Sequence, residues 1–303
     1  MRVFVTGGTG AIGRFVVPAL HDAGHEVTAL ARSDVKAAWL EGQGAHPVEV
    51  SVFDVDALTS AFVGHDAVAN LATAIPRTKE ALKMSAWEAN NRIRTEGSAA
   101  VVDAALAAGV PRLIQESICF TYPDGGDRWL DERDPIDPPP GTDAVAVAEA
   151  NANRFTDAGR IGIVLRFGSF YGAGSAHTDE FISLARHHIG PVAGRPQAYL
   201  SSIHLADAAA AVVAALDTPA GIYNVVDDEP LTNKEYEKAL GVAVGKRPWI
   251  SFPGRLAALA GNKAKVLTRS HRVRNAKFKE ATGWSPRYRS AREGWLAKET
   301  VDA

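Results

Sequence analysis

A glycine-rich turn between a strand and a helix, placed at the very start of the chain, constrains the fold more than any other feature. Val3, Phe4 and Val5 form a short β-branched and aromatic run. The next segment, 6–13, reads Thr-Gly-Gly-Thr-Gly-Ala-Ile-Gly, with glycines at 7, 10 and 13. Residues 14–23 then show helical spacing, Gly24 closes them, and 25–30 reads as a second strand. Strand, glycine loop, helix, strand is the unit that builds a parallel sheet. Gly7 permits the tight turn, Gly10 lets backbone approach a pyrophosphate, and Gly13 lets helix and strand pack closely. The helix start offers N–H groups and the positive end of its dipole to phosphate. Gly7, Thr9, Gly10, Ala11, Ile12 and Gly13 are therefore the candidate dinucleotide-binding loop. A glycine turn with no ligand is the competing reading, and its position opening a βαβ unit argues against it.

The second strand decides between cofactors. NAD sites carry an acid at its end to hold the ribose hydroxyls. Here the strand ends Leu30-Ala31-Arg32-Ser33. Arg32 is suited to pairing with a 2′-phosphate and Ser33 to donating to it. NADP(H) is the expected cofactor, with NAD the less favoured one, supported only by Asp34. A solvated loop charge is the plain alternative for Arg32.

The alternation continues. Segments 47–52, 67–71, 112–118 and 161–167 read as strands, and 56–62, 87–108 and 144–157 as helices. This pattern predicts an α/β protein, a Rossmann-type doubly wound parallel sheet with a smaller C-terminal substrate lobe. After Gly168 the rhythm changes, with helices at 178–188 and 205–216 and strands at 201–203 and 221–226. The expected division is a dinucleotide-binding domain of 1–168 plus 201–226 and a substrate-binding lobe of 169–200 plus 227–303. Over 303 residues the net charge is −2, which points to neither nucleic acid nor an anionic membrane as partner. The expected partner is a small-molecule substrate. Cys119, the single cysteine, lies in an apolar run and reads as buried and inert. No leader and no apolar stretch of spanning length is visible, so a cytoplasmic protein is expected. His177, His187, His188 and His204 lack ligand spacing, and no metal is expected.

Several landmarks fall in an order that resembles the extended or atypical short-chain dehydrogenases/reductases of the NAD(P)-dependent epimerase/dehydratase type. These are the glycine loop, Asp54 after Val52-Phe53, Asn70-Leu71-Ala72, the helix containing Glu96 to residue 108, Leu165-Arg166-Phe167-Gly168 with Tyr171-Gly172, His204 with Asp207, Tyr223-Asn224-Val225, and Gly283-Trp284-Ser285-Pro286. The resemblance implies that Asp54 and Val55 contact adenine and that Leu71, Ala72 and Thr73 lie along the riboses. It also implies that Phe167 and Gly168 pass the nicotinamide, that Tyr171 lines the cleft beside substrate, and that the protein forms a homodimer through helices 87–108 and 144–157. Asp54 also reads as a helix N-cap, and both roles are compatible.

The chain departs from that family at its chemistry. The family uses Tyr-x-x-x-Lys on one helix, the tyrosine exchanging a proton and the lysine one turn on lowering its pKa. Aligned on Ala148-Glu149-Ala150, those positions hold Asp143 and Val147, and 141–153 contains neither Tyr nor Lys. The strand-end serine segment reads Gln115-Glu116-Ser117-Ile118-Cys119-Phe120-Thr121-Tyr122. Ser117 and Tyr122 are the candidate catalytic residues, Tyr122 in a loop that faces the cleft, with Glu116 either an acid/base or the partner of an arginine. The plain alternatives are capping for Ser117 and loop packing for Tyr122. Three functions remain open: an NADP(H)-dependent oxidoreductase of a small carbonyl, alcohol or sugar-type substrate with a non-standard acid or base; a silent NADP(H) sensor or scaffold; and a non-redox isomerase or lyase reusing the cleft.

Overall fold

The structure is a computed structural model that describes residues 1–76, 80, 83–139, 142–251 and 268–297. Seven strands, β1 (Arg2–Thr6), β2 (Glu26–Leu30), β3 (Ala45–Val48), β4 (Ala67–Asn70), β5 (Arg112–Ile118), β6 (Ile161–Phe167) and β7 (Gly221–Val225), form one sheet in the order β7-β6-β5-β4-β1-β2-β3. Every neighbouring pair is parallel. Parallel strands need crossovers, and the helices supplying them cover both faces, so the strands are buried on both sides, in β5 with Gln115, Glu116 and Ser117 included.

Alternation along β1 shows the two layers. Val3 and Val5 point into a core shared with Val16, Val17 and Leu20 of α1 (Gly13–Asp22), Leu40 of α2 (Asp34–Gly42), and Leu205, Ala208 and Val212 of α8 (Leu205–Ala215). Phe4 points the other way, into Leu58 and Phe62 of α3 (Val55–Phe62), Val101 and Ala105 of α5 (Ser98–Ala107), and Phe155 of α6 (Asp143–Asp157). A further apolar cluster gathers Tyr171, Phe181, Ala185, Leu231, Tyr236, Leu240 and Ala291, around α7 (Ala176–Arg186) and α9 (Asn233–Ala243). It joins the sheet side through Ser202–His204, which pairs in parallel with Ser169–Tyr171.

Three elements differ from expectation. The strand expected at 47–52 is β3, Ala45–Val48, with Pro47 inside it. An edge strand with one partner tolerates a residue that cannot donate. The helix α2 was not foreseen, because its nine residues bury only Leu40 and carry little apolar periodicity. The helix expected over 87–108 is composite: a 3₁₀ turn (Met84–Trp87), α4 (Glu88–Arg92), a π-helical turn (Ile93–Gly97), then α5. Among the described residues no helix is long and apolar enough to cross a membrane.

Candidate dinucleotide site and its buried network

The strand order reverses between β1 and β4, which opens a crevice at their carboxyl ends, the position where doubly wound sheets bind ligands. The glycine loop sits there. Gly7 has φ +71°, and a Cβ on it would stand 2.7 Å from the Leu71 carbonyl. A Cβ on Gly13 would come within 2.1 Å of the Gly7 oxygen. Both positions thus exclude any side chain, and the loop can lie flat against the end of β4. Helical bonding begins early, with Arg14 N donating to Gly10 O at 3.1 Å and Val16 N to Ile12 O at 3.0 Å. Gly10 and Ala11 are exposed at this helix start, Thr9 is half-buried, and the Ile12 side chain is in the core. Open backbone at a helix amino end suits a pyrophosphate.

The other expected contacts spread along the same edge. Arg32 and Ser33 are exposed past the end of β2, and Arg32 makes no ion pair or hydrogen bond among the described residues. Asp54 caps α3, accepting from Ala57 N at 3.0 Å, and Val55 beside it is exposed. Leu71 is buried while Ala72 and Thr73 are half-buried beyond β4. The Phe167 side chain is fully buried, and Gly168 runs so close to Ser201 that a Cβ would meet its oxygen at 2.9 Å. Beneath the crevice, Thr6 Oγ1 donates to Asn70 Oδ1 at 2.6 Å, and Asn70 Nδ2 to Gln115 Oε1 at 2.8 Å. These side chains tie the ends of β1, β4 and β5 together.

Ser117 and Tyr122 belong to a second buried network. Ser117, Arg166 and Asn224 are aligned across β5, β6 and β7, on the face turned to α6. Ser117 Oγ donates to Glu149 Oε1 of α6 at 2.5 Å. Arg166 grips Glu149 in two-pronged fashion, 2.8 and 2.6 Å, with both side chains about 95% buried or more. Arg166 Nη1 donates to Tyr122 Oη at 2.8 Å, and Tyr122 Oη to Asn224 Oδ1 at 3.0 Å. Burial alone would lower the Arg166 pKa; the Glu149 carboxylate overrides that and raises it. Burial pushes the Tyr122 hydroxyl up to about 12 despite the neighbouring guanidinium.

Two placements are thereby corrected. Tyr122 does not face the cleft: the 3₁₀ turn Cys119–Thr121 folds it back, fully buried, among Cys119, Leu130, Val226 and Val273. Tyr171 does not line the cleft either. It is fully buried, with ring centroids 5.2 Å from His204 and 5.3 Å from Trp295, and burial, then Asp227, raises its pKa. Large aromatic area favours a core, whatever the loop around it.

The helix α6 begins at Asp143. Ala144, Val145, Ala148, Glu149, Ala152 and Phe155 form its buried stripe. Asp143 and Val147 are exposed on the opposite side. Neither face carries Tyr or Lys. Glu116 pairs with Arg94 of the π turn, at 2.7 Å with both side chains 3% exposed. Cys119 is fully buried, its thiol pushed up to about 12 by burial. Among the described residues no group of three or more His, Cys, Asp or Glu side chains is arranged to hold a metal. The sequence reading missed Glu149 and Arg94. The one available signal for Glu149 was a lone acid between Ala148 and Ala152 on the buried stripe.

Fold and crevice together define a dinucleotide-binding α/β protein. A family profile described as NAD(P)H-binding matches residues 7–154. A Streptomyces protein, 3-diazoavenalumate denitrifying reductase, is 32% identical over 97% of this chain and 99% of its own length. The chloroplastic epimerase family protein SDR39U1 homolog of Arabidopsis thaliana is 24% identical over 98% of this chain and 86% of its own. Human SDR39U1 (isoform 2), solved with NADPH, superposes with a TM-score of 0.81 at 24% identity, covering 98% of each chain. UDP-glucose 4-epimerase of Thermotoga maritima gives 0.79 at 21% identity, covering 98% of this chain and 96% of that one. The chain belongs to the atypical extended short-chain dehydrogenases/reductases of the epimerase/dehydratase type.

Proposed function

We propose that the chain is an NADPH-dependent reductase whose hydride acceptor requires no proton from the protein. One observation carries this reading. The helix that bears the family's proton donor has no tyrosine or lysine on any face, and the nearby hydroxyls of Ser117 and Tyr122 both donate within a buried network, to Glu149 and Asn224. A ketone reduced in such a site would leave an alkoxide with no acid to meet it. An electrophile that becomes neutral on accepting hydride avoids the problem. The full-length likeness to a protein named 3-diazoavenalumate denitrifying reductase supports a diazo acceptor as the class, for which an arenediazonium carboxylate is the test compound. When bound, NADPH would supply a hydride, and the net change would replace the C–N₂ bond by C–H with release of N₂ and NADP⁺.

The chain's own part is binding and orientation, which account for most of the catalysis when the cofactor brings the chemistry. Backbone at Gly7, Thr9, Gly10, Ala11 and Gly13 receives the pyrophosphate, with Ile12 anchoring the loop. Arg32 and Ser33 take the 2′-phosphate. Asp54 and Val55 flank the adenine. Leu71, Ala72 and Thr73 support the riboses, and the turn at Phe167–Gly168 closes the nicotinamide end. The Glu149–Arg166 pair holds α6 against β5 and β6, so the crevice wall stays fixed.

The test is a titration of the purified protein with NADPH and NADH, followed by stopped-flow mixing with an arenediazonium carboxylate and with a panel of ketones. NADPH carrying deuterium at C4 should slow diazonium loss by a primary isotope effect, with stoichiometric release of N₂ and NADP⁺. Arg32→Ala should weaken NADPH about 10- to 100-fold and leave NADH unchanged. Saturable NADPH binding with no acceleration of diazonium loss would overturn the reaction, and equal loss of both cofactors would overturn the role of Arg32.

A further inference from the structure

The helix α6 carries no lysine, but a buried cation, Arg94, lies beside the crevice in a pair with Glu116. Strand β5 outruns its neighbour. The last β4 pairing is Asn70 with Gln115, so Glu116 projects just past the end of β4. Alternation places it on the face of Ile114 and Leu165, the face that also holds Leu71 and Ile12 of the glycine loop. Arg94 reaches it from the π-helical turn Ile93–Gly97, and such turns recur at functional sites. The carboxylate takes only one end of the guanidinium, Nη2 lying 2.9 Å from Oε1 and 2.7 Å from Oε2. Arg94 Nη1 is buried and has no hydrogen-bond partner. A buried donor left unmade costs free energy, and its persistence calls for a function.

We infer that Arg94 is a ligand-binding cation of the crevice, its free Nη1 donating to an oxygen that arrives with the cofactor or the acceptor. Two sources fit this geometry: a hydroxyl of the nicotinamide ribose, and a carboxylate of the acceptor. Glu116 is the positioning residue that fixes the guanidinium plane. The inference rests on the reading of the crevice as the NADPH site, and it adds a charged residue that the family's helix motif does not contain.

The experiment starts with NADPH binding to the unaltered protein, which tests the underlying reading alone. Arg94→Gln combined with Glu116→Gln then removes both buried charges while keeping a polar pair. The first expected result is a loss of at least tenfold in NADPH affinity, if the oxygen is the ribose hydroxyl. The second is unchanged NADPH affinity with at least a tenfold rise in KM for the arenediazonium carboxylate, if it is the acceptor. Arg94→Lys, which retains the charge beside Glu116, should recover part of either loss. Independently of any variant, the guanidinium resonances of ¹⁵N-arginine-labelled protein should shift at Arg94 on adding NADP⁺, or on adding a non-reactive aryl carboxylate to that complex. Unchanged affinity, KM and Arg94 resonance, with NADPH still bound, would overturn the inference.

Discussion

Replacing Glu149 by Gln tests the buried network most directly. The substitution keeps size and removes one charge. Arg166, with 4% of its side chain exposed, would keep only the Tyr122 hydroxyl as a strong acceptor. Ser117 would lose its bond to an ionised acceptor. Removing one partner of a buried pair costs about 3–5 kcal/mol, because the remaining charge stays desolvated. For a chain of 303 residues this corresponds to a fall in Tm of roughly 5–8 °C. Urea denaturation at constant m-value reads the loss as a shift in midpoint. The internal control is Asp103→Asn, which breaks the half-exposed pair Arg154–Asp103 and should cost less than about 1 kcal/mol. A double variant, Glu149→Leu with Arg166→Met, removes both charges and should regain most of the stability. The reasoning is refuted if Glu149→Gln costs no more than Asp103→Asn.

Three further outcomes follow from individual side chains. Asp227 is fully buried, with Ser202 Oγ at 2.9 Å as its donor; burial, then Asp207, raises its pKa well above the usual value. The folded state therefore holds a proton that the unfolded chain has released, and stability falls as pH rises above about 4, by at most about 1.4 kcal/mol per pH unit for this group. Asp227→Asn should flatten that slope; parallel urea-midpoint curves for the two proteins as pH rises from about 4 would contradict it. Gly13→Ala forces a Cβ onto the Gly7 oxygen and should abolish measurable NADPH fluorescence enhancement while far-UV circular dichroism stays native. Cys119 should react with a thiol reagent only after denaturant is added, given its burial and raised pKa, and fast labelling of native protein would contradict the packing.

The sequence disclosed what is local and periodic. Strands β5 and β6 were legible to the residue, because each follows a breaker, Pro111 or Gly159, and carries an apolar centre, Leu113 and Ile114 in β5 and Ile163, Val164 and Leu165 in β6. The glycine loop was legible because Gly7 and Gly13 satisfy backbone demands no other residue meets. Pro47 misled by suggesting a strand start, where an edge position had removed the penalty. Direction was not legible: nothing near Tyr122 or Tyr171 in the chain tells which way a loop side chain turns, and the core claimed both. Non-local pairing was least legible of all. Glu149 and Arg166 lie 17 residues apart on a helix and a strand, Arg94 and Glu116 lie 22 apart, and each pair exists only once α6 or the π turn has docked. The positions aligned with the family's Tyr and Lys, Asp143 and Val147, proved to be on the side of α6 turned away from its buried stripe.

The side-chain tie beneath the glycine loop has a consequence for the order of assembly. Thr6 and Asn70 are 64 residues apart, and Asn70 and Gln115 a further 45. The first βαβ unit can form locally, yet the floor on which its loop rests is finished only when β5 has been made and docked. A ribosome-bound chain that ends before residue 115 would therefore display the glycine motif without a competent cradle. On the proposed reading of the crevice, cofactor capture would come late, after three distant strands have met in register, and would stabilise molecules that have passed that point.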